Sequence, residues 1–248
     1  MFRKSILAAV AALPLSAYSA SAQDSGFAFD GAFIDLGFHN TLDPFGDQAD
    51  RFFTGAGAYM LTPRVGVQLG FQHIRDHSNE GVFQSIGLFE ADGLQAHLFY
   101  DPTDDTRVGV FYSYEIFDGR DEISILGIEG VWTPERGRLE GRLGFFEDPM
   151  GTGATQGEIL ASADLFGGLD LVGEFIFFDY DDGSLFQNFM AGLAYDVTPR
   201  NRVYAMFGSS RSDLPGSPTS SVDLFQFGYM LTFGGSSEDS RVFRYSAN

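Results

Sequence analysis

The chain has 248 residues, with 15 Lys+Arg against 34 Asp+Glu and a formal net charge of −19. So acidic a body argues against a nucleic-acid partner, whose phosphates have to be met by basic side chains. The absence of cysteine excludes disulfides, thiolate metal sites and a cysteine nucleophile.

Residues 1–22 read as a cleaved secretory signal. Arg3 and Lys4 form a basic start, Ile6–Leu15 an apolar stretch, and Ala20-Ser21-Ala22 a small-x-small cleavage site before Gln23. Losing Arg3 and Lys4, and no acid, takes the charge from −19 to −21 and removes the only lysine. No other segment approaches the roughly 18 continuous apolar residues of a membrane helix. If the exported chain enters a membrane, it must do so as a closed barrel, the other structure that satisfies every backbone group in lipid.

The remainder alternates apolar and polar residues in segments of about ten, the length of a tilted membrane strand. The spacing predicts strands over 27–39, 52–62, 65–75, 93–100, 107–117, 122–132, 138–147, 156–166, 169–178, 186–197, 202–211 and 222–233. Their number is even, as single-chain bacterial barrels prefer. The 31 Gly and 27 Phe suit strands with aromatic rims, and a mean hydropathy of −0.04 suits strands with one apolar face.

The connections fall into two kinds. One set is short and turn-forming: Thr62-Pro63-Arg64, Asp101–Thr106, Thr133–Gly137, Phe166-Gly167-Gly168 and Thr198–Asn201, with proline and glycine setting the turn dihedrals. The other set is generally longer and acidic: 40–51, 76–92, 118–121, 148–155, 179–185 and 212–221. Short turns at one end and longer loops at the other is the arrangement of outer-membrane barrels, with both chain ends on the periplasmic side. The expected organisation is therefore a signal at 1–22, a barrel over 23–233 and a tail, 234–248, in the periplasm.

Alternation assigns the faces. The polar side of the strands carries Asp35, His39, Gln68, Gln72, Gln95, His97, Glu115, Glu129, Arg138, Glu140, Arg142, Glu158, Asp164, Glu174, Asp196 and Gln226. In an inverted barrel these line the lumen and the apolar side meets lipid. Aromatic residues beside the short turns, namely Tyr100, Trp132, Tyr195, Tyr204 and Phe233, are expected as an interfacial girdle. Because lumen acids outnumber arginines, the interior should favour cations. About twelve strands lie between eight, which side chains fill, and 16–18, which leave an aqueous pore. A narrow channel and a lumen plugged by ion pairs both remain open.

Two stretches carry a family resemblance. The last strand, Gln226-Phe-Gly-Tyr-Met-Leu-Thr-Phe233, puts Phe225, Phe227, Tyr229, Leu231 and Phe233 on one face. It resembles the terminal β-signal that the barrel-assembly machinery reads, although residues 234–248 follow it. Ala194-Tyr-Asp-Val-Thr-Pro-Arg-Asn-Arg-Val-Tyr204 looks like the strand–turn–strand hairpin of Gram-negative porins, with shorter echoes at Leu61–Val67 and Leu98–Pro102. The resemblance to porin-like outer-membrane barrels implies an all-β, up-and-down antiparallel transmembrane barrel. It also implies outer-membrane lipid and lipopolysaccharide as surroundings, and small hydrophilic solutes or ions as what passes. The chain is short for a trimeric general porin and has no obvious constriction loop, which leaves the oligomer open.

Other constellations yield less. His73-Ile-Arg-Asp76-His77-Ser78 gathers a nucleophile, a base and an acid at one strand end, as in rim hydrolases, but matches no catalytic motif. Asp118–Glu122 and Asp179–Gly183 could hold calcium, yet fit no EF-hand spacing. Exposed acidic tips bridged to lipopolysaccharide are the plainer reading. No catalytic residue, resident metal or cofactor is assigned. The alternative to a channel is a plugged barrel that acts through its acidic loops.

Overall fold

Antiparallel neighbours can be joined by turns of a few residues, so a chain of alternating segments with short connections pairs each strand with the next. The structure, a computed structural model, describes residues 28–42, 48–76, 91–117, 121–148, 150–234 and 242–244. Twelve strands are present among them: β1 Ala28–Leu42, β2 Gln48–Met60, β3 Val65–Asp76, β4 Ala91–Tyr100, β5 Thr106–Phe117 and β6 Asp121–Trp132. They continue with β7 Gly137–Glu147, β8 Gly153–Phe166, β9 Leu169–Tyr180, β10 Leu185–Thr198, β11 Asn201–Asp213 and β12 Ser220–Phe233. Every strand pairs antiparallel with its sequence neighbours, and β1 closes on β12 from Ala32↔Phe233 to Leu42↔Asp223. Closure leaves no sheet edge, and an even strand count brings the first and last strands back to the same rim.

Several strands run further toward the longer loops than their apolar alternation extends. β1 reaches Leu42 and β2 begins at Gln48, so most of the expected 40–51 loop is ladder. The same holds for β4, which starts at Ala91, and for β8, which starts at Gly153. Beyond the bilayer, backbone pairing needs no apolar side chain, so the alternation fades while the hydrogen bonds continue.

The outer face is apolar. Leu36, Leu69, Leu94, Leu98, Val110, Leu126, Ile128, Phe145, Ile159, Leu171, Leu193, Phe207 and Phe227 are all exposed. Tyr100, Trp132 and Tyr195 stand exposed on this face beside the short turns, and Trp132 Nε1 donates to Asp105 at 3.3 Å. Phe233, partly buried, ends β12 opposite Ala32. Such a continuous apolar surface would be untenable in water and is the band that a barrel presents to lipid.

Tyr204 departs from the expected girdle. It shares β11's inner face with Arg202 and Met206, lies opposite Gly228 and is only 9% exposed. Its ring occupies the space that a Cβ on Gly228 would need. Phe99 over Gly66 and Phe52 over Gly37 make the same packing. Inward rings thus lie flat along the wall over glycines of the adjacent strand, the device by which a barrel keeps bulky residues inside without filling its centre.

Candidate functional site in the barrel lumen

The inner wall inherits the polar face of the strands. Asp35, Gln68, Gln72, Gln95, His97, Glu129, Arg138, Glu140, Glu158 and Glu174 are all buried within the barrel. Glu115 and Arg142 are half-buried on the same side, Asp196 is half-buried near the short turn, and Asp164 is exposed at the end of β8. His39 and Gln226 are also buried there.

Many of these residues meet as ion pairs, within one strand, between neighbouring strands or across an intervening one. Arg142 faces Glu158 directly across β7 and β8 and the two form a salt bridge, with the guanidinium 5.9 Å from the Phe111 ring centroid. Arg138 donates to Glu140 at 2.6 Å. His97 Nδ1 meets Glu129 Oε1 at 2.6 Å, both side chains being 2% exposed. Arg202 pairs with Asp170 and, at 3.6 Å, with Asp196.

Arg107 is the most enclosed of these cations, with no exposed surface. Its Nε and Nη2 donate to the two oxygens of Asp101 at 2.8 and 3.0 Å, and Nη2 also reaches Asp30 at 2.7 Å. The guanidinium carbon lies 3.6 Å from the Phe99 ring centroid, a stacked cation–π contact. Chelation of a carboxylate by two guanidinium nitrogens is the strong form of this pairing.

These charges crowd the half of the lumen nearest the short turns. Toward the longer loops the inner wall is mixed, with Ile125, Ala154, Ile176 and Leu224 buried beside His39, Gln72, Ser113 and Gln156. Phe146, Phe178, Tyr180 and Phe186 meet edge-on there, at centroid distances of 6.4, 6.0 and 5.9 Å around the cluster. The buried arginine–carboxylate pairs thus lie toward the short turns and the middle of the barrel, with a mixed apolar and polar wall beyond them.

Between the charged pairs lies a cavity of about 90 Å³, with Asp35, Glu174, Arg138, Arg202, Tyr204, Gln226 and Arg244 in its lining. The Tyr204 hydroxyl donates to Asp35 Oδ2 at 2.9 Å, leaving Asp35 Oδ1 and Gln226 Oε1 without a partner among the described residues. Buried acceptors of this kind call for water or a donor-bearing solute.

The tail is the largest departure from expectation. Residues 242–244, expected in the periplasm with the rest of 234–248, sit inside the barrel. Val242 and Phe243 are 0% and 1% exposed and pack with Phe33, Ala56, Ala58, Phe99, Val131 and Met230. The reason is chemical: an apolar pair, Val242-Phe243, followed by Arg244, fits a cavity that offers both aromatic and carboxylate partners. Arg107, Arg202 and Tyr204, absent from the sequence-based lumen set, join it. Arg107 shares its strand face with Glu115, so parity alone could have found it.

At the longer-loop rim, His73 Nδ1 meets Asp92 Oδ1 at 2.7 Å. The Asp76 side chain and residues His77 and Ser78 lie outside what the structure describes, so the His–Asp–Ser grouping has no geometry here. The loop acids that are described include Asp182, whose carboxyl is held below its usual range by hydrogen bonds from Ser184, first from its backbone N–H. No group of three or more His, Asp or Glu among the described residues is gathered closely enough to hold a metal ion.

Comparison with solved structures rests on this closed, twelve-strand geometry. The NanC porin matches with a TM-score of 0.59 at 8% identity, covering 80% of this chain and 98% of that one. The KdgM porin matches at 0.50 and 9% identity, covering 81% and 99%. An outer-membrane channel from Pseudomonas putida F1 matches at 0.53 and 11% identity, covering 87% and 100%. The fold is that of a porin-like outer-membrane β-barrel. No family model and no curated protein matches the sequence. Identities this low establish architecture, and what the lumen does has to be argued from its own residues.

Proposed function

We propose that the protein is a porin-like channel for passive diffusion of small hydrophilic solutes or ions across the outer membrane, with a mild preference for cations. The observation that carries this reading is the composition of the inner wall. Arg107, Arg138, Arg142 and Arg202 each already face a carboxylate, while Asp35, Glu115 and Glu174 add further acid. The field left over is negative, and a negative constriction lowers the barrier for cations. Selectivity then follows from lumen width and charge, without a chemical step. The apolar outer face would meet outer-membrane lipid and lipopolysaccharide, and Gln226–Phe233 would be read by the barrel-assembly machinery.

The test is single-channel conductance across a planar bilayer under a salt gradient, on the mature chain and on a form ending at Gly234. Discrete steps with a cation-sided reversal potential are expected. Combining Glu140→Gln, Glu158→Gln and Glu174→Gln should move the reversal potential toward zero or to the anion side, because Arg138 and Arg142 then lose their counter-charges. An unchanged reversal potential overturns the lumen assignment. Silence from both forms, in barrels shown to be folded by heat-modifiable migration, overturns the channel.

One observation favours the second reading, a plugged barrel acting through its acidic loops: the tail inside the lumen. On that reading, deletion of residues 77–90 abolishes function and permeability is irrelevant to it.

A further inference from the structure

Four consecutive backbone groups of the tail are each met by a side chain of the barrel wall. Arg138 Nη2 donates to the Val242 carbonyl at 2.7 Å. Gln68 Oε1 accepts from the Phe243 N–H and Gln68 Nε2 donates to the Phe243 carbonyl, both at 2.9 Å. Glu140 Oε1 accepts from the Arg244 N–H at 2.8 Å. The Gln68 amide thus pairs with one residue of the tail as a strand residue in a ladder would, through both N–H and C=O. A buried segment must have its backbone groups satisfied or lose more than it gains by burial. Here side chains from β3 and β7 supply all four partners.

The ring of Phe243 gives the seat its selectivity. It stacks on His97 at 5.5 Å and 12° and meets Phe99 edge-on at 6.3 Å. His97 is itself oriented by Glu129. Gln68, His97, Arg138 and Glu140 are each at least nine-tenths buried.

We propose that the short-turn half of the lumen is a peptide-binding site whose ligand is this chain's own Val242-Phe243-Arg244 segment, seated there as a tethered plug. β12, the last strand before the segment, ends at the short-turn rim, next to the half of the lumen in which the segment is seated. Closure of a channel by this plug rests on the channel reading above; the binding of the segment does not. Backbone pairing by Gln68, Arg138 and Glu140 is independent of side-chain identity, and the contacts with His97 and Phe99 call for an aromatic residue at the central position.

The experiment compares the mature full chain, a form ending at Gly234 and full-length Phe243→Ala in planar bilayers, each checked for heat-modifiable folding. A synthetic peptide of residues 238–248 is then added to the short-turn side. Expected are a several-fold higher mean conductance for the shortened form, an intermediate value for Phe243→Ala, and block of the shortened form by the peptide. The same peptide carrying Phe243→Ala should need at least tenfold more to block. In parallel, fluorescence anisotropy of the labelled peptide measures binding to the shortened barrel in micelles, independent of conduction. Equal conductance of all three proteins, with no peptide block, overturns the plug and leaves the channel standing. A silent shortened barrel that still binds labelled peptide, with the phenylalanine dependence, upholds the peptide site and overturns the channel. Absence of both binding and conduction in a folded barrel overturns both. Should the shortened form not fold, Phe243→Ala against the full chain decides alone: unaltered conductance refutes the plug.

Discussion

Arg107 offers a quantitative test of how the charged half of the lumen is held together. It has no exposed surface and chelates Asp101, which is 4% exposed, while its contact with Asp30 is at a carboxylate that is 17% exposed. Arg107→Met keeps most of the side-chain volume and removes the charge, leaving two carboxylates enclosed without their cation. Removing one partner of a buried ion pair costs about 3–5 kcal/mol, and the partial exposure of Asp30 argues for about 3. Loss of the guanidinium over Phe99 adds about 1 kcal/mol. The total of about 4 kcal/mol corresponds to a shift of about a thousandfold in the folded-to-unfolded ratio. The assay is urea unfolding of the micelle-refolded barrel followed by Trp132, the only tryptophan, which pairs with Thr106 next to Arg107. Most of the loss comes from uncompensated acid, not from a missing attraction. Arg107→Met combined with Asp101→Asn and Asp30→Asn should therefore recover more than half of it. A single variant within about 1 kcal/mol of the parent, or a triple variant no better than the single one, would refute this reasoning.

Three further outcomes test other parts of the structure. Leu126, exposed at the middle of β6, should lose about 2–4 kcal/mol on Leu126→Arg in lipid vesicles. Val197→Arg, beside a short turn, should lose about 1 kcal/mol or less, and equal losses would contradict a lipid belt. Gly228→Val should lower refolding yield because its side chain meets the Tyr204 ring; Gly228→Val with Tyr204→Ala should refold better than Gly228→Val alone, and no rescue would remove the ring-on-glycine packing as the cause. Tyr204→Phe deletes the hydroxyl that donates to Asp35 and should cost about 1–3 kcal/mol in urea unfolding, whereas a neutral result would mean that water already serves that carboxylate.

Much of this molecule was legible because alternation is a local property. Whether Leu69 and Gln68 point to opposite sides depends only on their adjacency in an extended chain, and short turns at Pro63 and Pro199 require antiparallel neighbours. Strand number, strand faces and the arrangement of short and long connections follow from such information. Parity would equally have placed Tyr204 inside with Arg202; the proximity of a short turn suggested a girdle instead, and the glycine opposite it on β12 decided the matter. Where alternation fades, as at Gln48–Arg51, strand ends were set by backbone pairing that side chains do not announce.

The tertiary structure alone decided which charges meet and what fills the lumen. Arg107 and Asp30 are separated by 77 positions and Gln68 and Phe243 by 175; only closure of β1 on β12 and the stagger of the strands bring such residues to one level. A tail of fifteen residues after the last strand has no periodicity to read, and its Val-Phe pair could equally mark a strand or a surface contact. Its place became visible only once the barrel enclosed a glutamine and an Arg–Glu pair that meet its backbone groups and a histidine that stacks on its phenylalanine. Sequence determined the wall because each strand's faces are set locally. The interior was decided by the fold because contacts such as Arg107–Asp30, His97–Glu129, Arg202–Asp170 and Gln68–Phe243 join residues that are remote in the chain.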